Sequence, residues 1–335
     1  MEHAHIFPVS TGLANRRVAA APKMGFSRKR ALLLASTCLL ALQAHAATFY
    51  VIVAGLGGEP GYEQRFTAAA NDLDRIFKSA GATARVYTLV GAQATAARFR
   101  DTMTTIGREA KADDDFALIL IGHGSFDGVE YKFELPGPDV TAAEIAAMCD
   151  RVASRRQLIV DTTSASGGAM QTLEKQGRAV IAATKSGTEK NATVFARYWV
   201  DALQDPSADA DKSDSVSAME AFLYATEKTA AFYDAEKRLA TEHAVFNDVG
   251  HGEPVREPGN GQGVLLSNFT LLRFGATQLA ANDPAKRALL DKKEELERKI
   301  DMLRYRKAAM DPADYKKQLT DALVELSKVQ EKLDQ

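Results

Sequence analysis

The chain has 335 residues, 46% of them apolar, and carries 42 Lys and Arg against 44 Asp and Glu, a formal net charge of −2. That is enough chain for one large or two ordinary domains with a real core, and the balanced charge, without an interleaved basic and aromatic face, argues against a nucleic-acid binder. Two cysteines, Cys38 and Cys149, are too few for a disulfide framework.

Residues 24–30 (MGFSRKR) are basic, residues 31–42 are an apolar stretch, and residues 43–46 (QAHA) end in a small-x-small pattern. Such a segment reads as a secretory signal peptide over 24–46, cleaved after Ala46, which implies a secreted or periplasmic protein. Its apolar run is too short to span a bilayer, so no membrane span is expected after cleavage. Met24 reads as a more natural start than Met1, because residues 1–23 have neither periodicity nor apolar content. Cys149 lies in a helical pattern (AAEIAAMC) and is expected to be a small buried hydrophobe.

The body begins with a strand at 48–54 (TFYVIVA) and the loop 55–61 (GLGGEPG). This is not a dinucleotide loop: Pro60 occupies the place of the third glycine, and Glu59 would point negative charge at a pyrophosphate. Phe66, Leu73, Ile76 and Phe77 have helical spacing and stop at Gly81; a strand follows at 85–90 and a helix at 95–111. The stretch 116–128 (FALILIGHGSFDG) is a buried strand that runs into His123. Next come a loop with Pro136 and Pro138, a helix from Thr141, and the stretch 157–168 (QLIVDTTSASGG), a second strand that ends in hydroxyls and glycines. After a further helix, a fifth strand at 178–184 and a helix at 193–203 complete an alternation that implies parallel crossovers and a three-layer α/β sandwich.

Carboxyl ends of strands are where open α/β sheets do chemistry, so His123 on one tip and hydroxyls on another make a candidate base and nucleophile. The plainer alternative is a His-Gly turn, with Ser and Thr capping the next helix. An α/β-hydrolase triad of Ser164, Asp209 and His251 has the right chain order, but no Gly-x-Ser-x-Gly elbow surrounds Ser164 or Ser166.

An apolar strand ending in His-Gly, followed some forty residues later by one ending in Asp with Ser-Gly-Gly beyond it, resembles the caspase-like fold of caspases and legumain-type peptidases. The resemblance covers residues 48–272 and implies a three-layer α/β/α sandwich with a mostly parallel sheet. It places His123 as base and Gly124 as an oxyanion N–H donor. The nucleophile position falls on Ser164, or on Thr163 when counted from Asp161. Asp161, Ser166, Lys185 and Ser186 then belong to the substrate pocket, with Glu189 and Lys190 in the same loop. No cysteine stands at the nucleophile position, and a hydroxyl is far weaker without a well-placed base and an orienting third group. Two readings follow: a pseudopeptidase that keeps the pocket to bind a peptide or protein, favoured because the thiol is missing, and a Ser–His hydrolase.

Residues 209–220 (DADKSDSVSAME) carry the spacing of an EF-hand Ca²⁺ loop, with Asp209, Asp211, Ser213, Ser217 and Glu220 as side-chain ligands and Ser215 offering its carbonyl. Asp214 replaces the usual glycine at the sixth position, where the turn needs positive φ. Three charged ligands predict weak Ca²⁺ binding, a metal-free relic of such a loop is the other reading, and no cofactor is required. From Asp283 the composition turns Lys- and Glu-rich, with leucines at three- and four-residue steps and Asp-Pro opening each half. Those features predict a coiled-coil-like helical hairpin over 283–335, after a body at 47–275, that pairs with a second copy or another protein, or packs on its own domain. A third functional reading makes the hairpin the working part and the body its carrier.

Overall fold

The structure is a computed structural model that describes residues 46–81, 83–259 and 261–334; the signal-peptide reading, with Met24 and Cys38, falls outside them except for Ala46. In chain order the first half comprises β1 (Thr48–Ala54), α1 (Pro60–Ser79), β2 (Ala84–Leu89), α2 (Ala96–Glu109), β3 (Asp115–Ile121), β4 (Gly124–Phe126), β5 (Tyr131–Phe133), β6 (Val140–Thr141), α3 (Ala142–Cys149) and β7 (Arg156–Asp161). There follow α4 (Met170–Leu173), β8 (Arg178–Ala182), α5 (Phe195–Ala202), β9 (Ser215–Ser217), α6 (Ala218–Ala235), β10 (Val245–Asn247) and α7 (Val264–Ser267). The chain ends with β11 (Thr270–Arg273), α8 (Gly275–Asn282), α9 (Pro284–Arg306) and α10 (Pro312–Asp334).

Six strands form the central sheet in the order β10-β8-β7-β3-β1-β2, all parallel except the edge strand β10. The period of two explains why β1 and β3 are apolar on both faces after their first residues. Tyr50, Ile52 and Ala54 with Ala117, Ile119 and Ile121 face one core, closed by Leu73 and Phe77 of α1, Phe195 and Trp199 of α5 and Phe222 of α6. Phe49, Val51 and Val53 with Phe116, Leu118 and Leu120 face the other, closed by Phe99 and Met103 of α2 and Ile145 and Cys149 of α3. The chain is therefore a mixed α/β protein with a mostly parallel sheet between helical layers.

Helix starts follow local chemistry. Pro60 opens α1, six residues before the apolar spacing begins at Phe66, because its missing N–H is an orphan there anyway. Thr141 and Glu144 form a capping box on α3. At the amino ends of β3 and β7, Asp115 accepts from Arg156 Nε (3.0 Å) and from Arg155 Nη2 (3.0 Å), and Arg156 also reaches the Asn268 carbonyl. Burial works to raise the Asp115 carboxyl, and the hydrogen bonds and charge of Arg156 and Arg155 overcome it, holding the group below the usual carboxylate range. Tyr50 in β1 donates to the Leu271 carbonyl at 3.0 Å, joining the ends of the α/β body.

Three features depart from the sequence reading. The loop around Pro136 and Pro138 contains a small antiparallel sheet, β4-β5-β6. A sixth strand, β10, which the sequence alternation does not include, pairs antiparallel with β8 at the edge. The helix after β7 is reduced to a 3₁₀ turn at Ser166–Ala169 and the four residues of α4. At the chain's end, α9 and α10 lie side by side, Lys286 Nζ reaching the Leu333 carbonyl at 2.8 Å. Helix α9 is also tied to the body, by Arg273 with Glu294, by Tyr305 with Ser267 and by Lys293 with the Ser213 carbonyl. No helix among the described residues is long and apolar enough to cross a membrane.

Cys149 is fully buried, and burial pushes its thiol up to about 12. We therefore expect iodoacetamide to leave Cys149 unmodified in the native protein and to label it fully in denaturant, as mapped by mass spectrometry; comparable labelling in both states would place the α3 face outside the core.

Candidate functional site

Strand β3 passes through Gly122 and His123 into Gly124, and β7 delivers Asp161 to the same edge one strand away. The two tips meet at Gly124. A Cβ there would lie 2.5 Å from the Ser164 carbonyl oxygen, 2.6 Å from Thr163 Oγ1 and 2.6 Å from the Tyr131 ring, so only glycine fits. Across this contact the Gly124 N–H donates to Ser164 Oγ (3.1 Å) and Ser164 Oγ donates to the Gly124 carbonyl (2.9 Å). Both backbone groups of Gly124 are thus engaged by one buried hydroxyl, including the N–H assigned to an oxyanion.

Thr163 is equally committed. Its hydroxyl donates to Asp161 Oδ1 at 2.7 Å and accepts from Tyr131 OH at 2.6 Å, while its N–H donates to the same Asp161 oxygen at 3.1 Å. His123 is not part of this network. Its half-buried ring stands edge-on to Tyr62 (centroids 4.7 Å apart) and Phe66 (5.1 Å), on the side of α1. The sequence joined His123 to Ser164 or Thr163 as base and nucleophile; here each hydroxyl takes other partners, and no hydrogen bond runs from either to the imidazole.

Asp161 is fully buried, and its Oδ2 has no hydrogen-bond partner. Burial lifts the carboxyl to about 6, against the lowering effect of the Thr163 hydrogen bonds.

The pocket residues lie in the loops after β7 and β8. Ser166 Oγ bonds Thr184 Oγ1 (3.2 Å) and accepts the Thr184 N–H (3.1 Å), so it ties the two loops together. Lys185 is exposed and stands 3.7 Å from Glu189, while Ser186 bonds Thr188. Glu189 of the same loop bonds the His243 ring at Nδ1 (2.5 Å), and its carbonyl accepts the Ala165 N–H (2.8 Å). Ala165 holds a left-handed conformation, φ 56, which costs a residue with a side chain about 1–2 kcal/mol.

Tyr131, Phe126, Thr184 and His243 escaped the sequence reading. A signal existed for the first two: Asp127-Gly128 between Phe126 and Tyr131 is hairpin chemistry. The contact of His243 with Glu189 spans 54 residues and leaves no local mark.

Beside His123 a groove of about 360 Å³ opens between α1 and α5, lined by Tyr62, Phe66, Ile121, Val194, Val200 and Phe232. Arg65 stacks over Tyr62 at its rim, 4.4 Å from the ring centre, and has no carboxylate partner among the described residues.

In the acidic loop, Asp209, Asp211 and Glu220 bring one carboxylate oxygen each within 4.8 Å of one another. Asp214 has φ 61, the conformation its position demands. The two oxygens of Asp209 accept from the Ser213 and Asp214 amides (3.0 and 3.1 Å). Only one flank is a full helix: α6 follows, capped reciprocally by Ser217 and Glu220, while a 3₁₀ turn at Pro206–Ala208 precedes. Ser215 and Ser217 pair with β11, and Ser213 Oγ bonds Ser215 Oγ at 2.8 Å.

No protein-family model matches the chain, and no curated protein matches it. Among solved structures, a Geobacter sulfurreducens protein aligns at 13% identity and a TM-score of 0.43, covering 62% of this chain and 95% of its own. The Drosophila initiator caspase Dronc aligns at 12% identity and a TM-score of 0.39, covering 63% and 82%. Both similarities are too distant to carry a functional argument.

Asp161 supplies a direct test of the site's electrostatics. Because the folded carboxyl sits above the unfolded value of 3.8, stability is greatest where the group is protonated and declines between about pH 4 and 6, by about 3 kcal/mol in total. Asp161→Asn keeps an oxygen for Thr163 and removes the titration. Chemical denaturation from pH 4 to 8 should show the wild type losing stability relative to this variant up to pH 6 and then holding level, whereas a constant difference would mean a solvated carboxyl.

Proposed function

We propose that this is a secreted, caspase-like pseudopeptidase whose strand-tip site binds a peptide or protein without cleaving it. The single observation that carries the reading is Ser164 bolted to both backbone groups of Gly124, with His123 turned to Tyr62 and Phe66. Binding is supported by the groove beside His123, whose apolar walls suit an aliphatic or aromatic side chain and whose rim offers Arg65 to a carboxylate. Secretion rests on the segment 24–46 alone. The Ser–His hydrolase remains the competing chemistry, and the same experiment decides it. A fluorophosphonate probe should leave Ser164 unlabelled in the native protein; stoichiometric labelling that His123→Ala abolishes would overturn the proposal. Ser164→Ala should instead lower unfolding free energy by about 1–3 kcal/mol, because it strands the Gly124 N–H and carbonyl.

A second reading is favoured by the convergence of Asp209, Asp211 and Glu220: the loop holds Ca²⁺ weakly. Its donors are carboxylate and carbonyl oxygens, the set a hard cation prefers, and with three charges the affinity falls at about 10⁻⁴–10⁻³ M. Calorimetric titration should show Ca²⁺ binding in that range that is lost in Asp211→Asn, an exposed position whose change leaves the α6 cap intact. No heat at millimolar Ca²⁺ makes the loop a metal-free turn.

A further inference from the structure

Phe126 ends β4, two residues past Gly124, and its ring lies between the loops that follow β7 and β8. A Cβ on Gly168 would stand 2.7 Å from this ring, and one on Gly187 only 2.2 Å from it. Neither glycine has a left-handed φ, so the backbone does not require glycine at either place. What requires it is the flat ring. Gly167 lets the two loops approach, since a Cβ there would lie 2.2 Å from the Ser186 nitrogen. Two loops from different strands have thus shed their side chains around one aromatic group.

The ring packs against the core, but the hairpin that carries it is short and exposed. Phe126 is half-buried, its neighbours Ser125, Asp127, Gly128 and Val129 are exposed, and Val129 at the turn is 91% exposed. The turn itself is held by Asp127 Oδ1 accepting two amides, from Val129 and Glu130, both on the surface. Strands β4 and β5 are three residues each, so little pairing resists a swing of the hairpin tip.

We propose that the Gly168–Gly187 slot is a subsite for an aromatic side chain of a bound peptide, and that Phe126 is its resident occupant, a plug that must withdraw before the subsite fills. This rests on the peptide-binding reading and adds to it the class of side chain and the contact that regulates entry. A glycine-walled slot favours a planar group because both faces of the ring then meet backbone.

The test uses capped tripeptides, acetyl-Ala-X-Ala-amide with X as Phe, Leu, Asp or Lys, titrated against the wild type, Phe126→Ala, Phe126→Leu and Phe126→Trp. Phe126→Ala should bind the X = Phe peptide at least tenfold more tightly than the wild type does and tenfold more tightly than it binds X = Asp or Lys. Phe126→Leu, the milder change, should fall between, and Phe126→Trp should show no gain. Adding Gly187→Ala to Phe126→Ala should remove the gain, since the methyl group enters the slot. The proposal is overturned if cooperatively folded Phe126→Ala or Phe126→Leu binds no better than the wild type, or if Gly187→Ala leaves the gain intact. Labelling of Ser164 by fluorophosphonate would sink the pseudopeptidase reading while leaving this comparison of variants unaffected.

Discussion

Gly124 stands where a single methyl group would collide with the Ser164 carbonyl, the Thr163 hydroxyl and the Tyr131 ring at once. The carboxyl edge of the sheet depends on that close approach. It brings the two strand tips within hydrogen-bonding reach, and it aims β4 across the loop after β7, which carries Phe126 over Gly168 and Gly187. A side chain at 124 would push β4 off, separate the Ser164 hydroxyl from its backbone partners and lift the small antiparallel sheet with it.

The chemistry of the site follows from what a hydroxyl does in such a place. A thiol is a poor hydrogen-bonding group and would leave the Gly124 N–H available, whereas a hydroxyl donates and accepts well. Ser164 accordingly satisfies the backbone on both sides and becomes a fastening. Thr163 meets the same fate through Asp161 and Tyr131, a chain of hydroxyls that ends on a carboxyl burial keeps weakly acidic. One oxygen of that carboxyl stays unpaired, which concentrates the polar cost of the site in a single atom.

Much of the architecture was legible because it is written in period and caps. The unbroken apolar runs of β1 and β3 announced strands buried on both faces, and Thr95 and Thr141 marked helix starts through chemistry confined to a few residues, whereas Pro60 opens α1 inside a stretch that reads as a loop. The antiparallel additions were not legible, since β4, β5, β6 and β10 are two or three residues long, too short for a pattern of two to register. At the site, residue types were visible and directions were not. Nothing in the string tells whether His123 turns to Ser164 or to Tyr62, because that choice is made by α1, some sixty residues earlier in the chain. The acidic loop shows the opposite case, as its spacing alone announced the positive φ found at Asp214.

The bond from Tyr50 to the Leu271 carbonyl bears on how the molecule comes into being. Strand β1 lies inside the sheet, yet it is among the first described residues to be made, and the partner of its tyrosine is separated from it by 221 residues. Such long-range closure raises contact order, and the entropy of closing the chain must be met before the contact rewards it. The body therefore cannot finish on a growing chain until β11 has emerged. Until then the Tyr50 hydroxyl, whose ring stacks on Phe77 in the folded protein, lacks the carbonyl that answers it there.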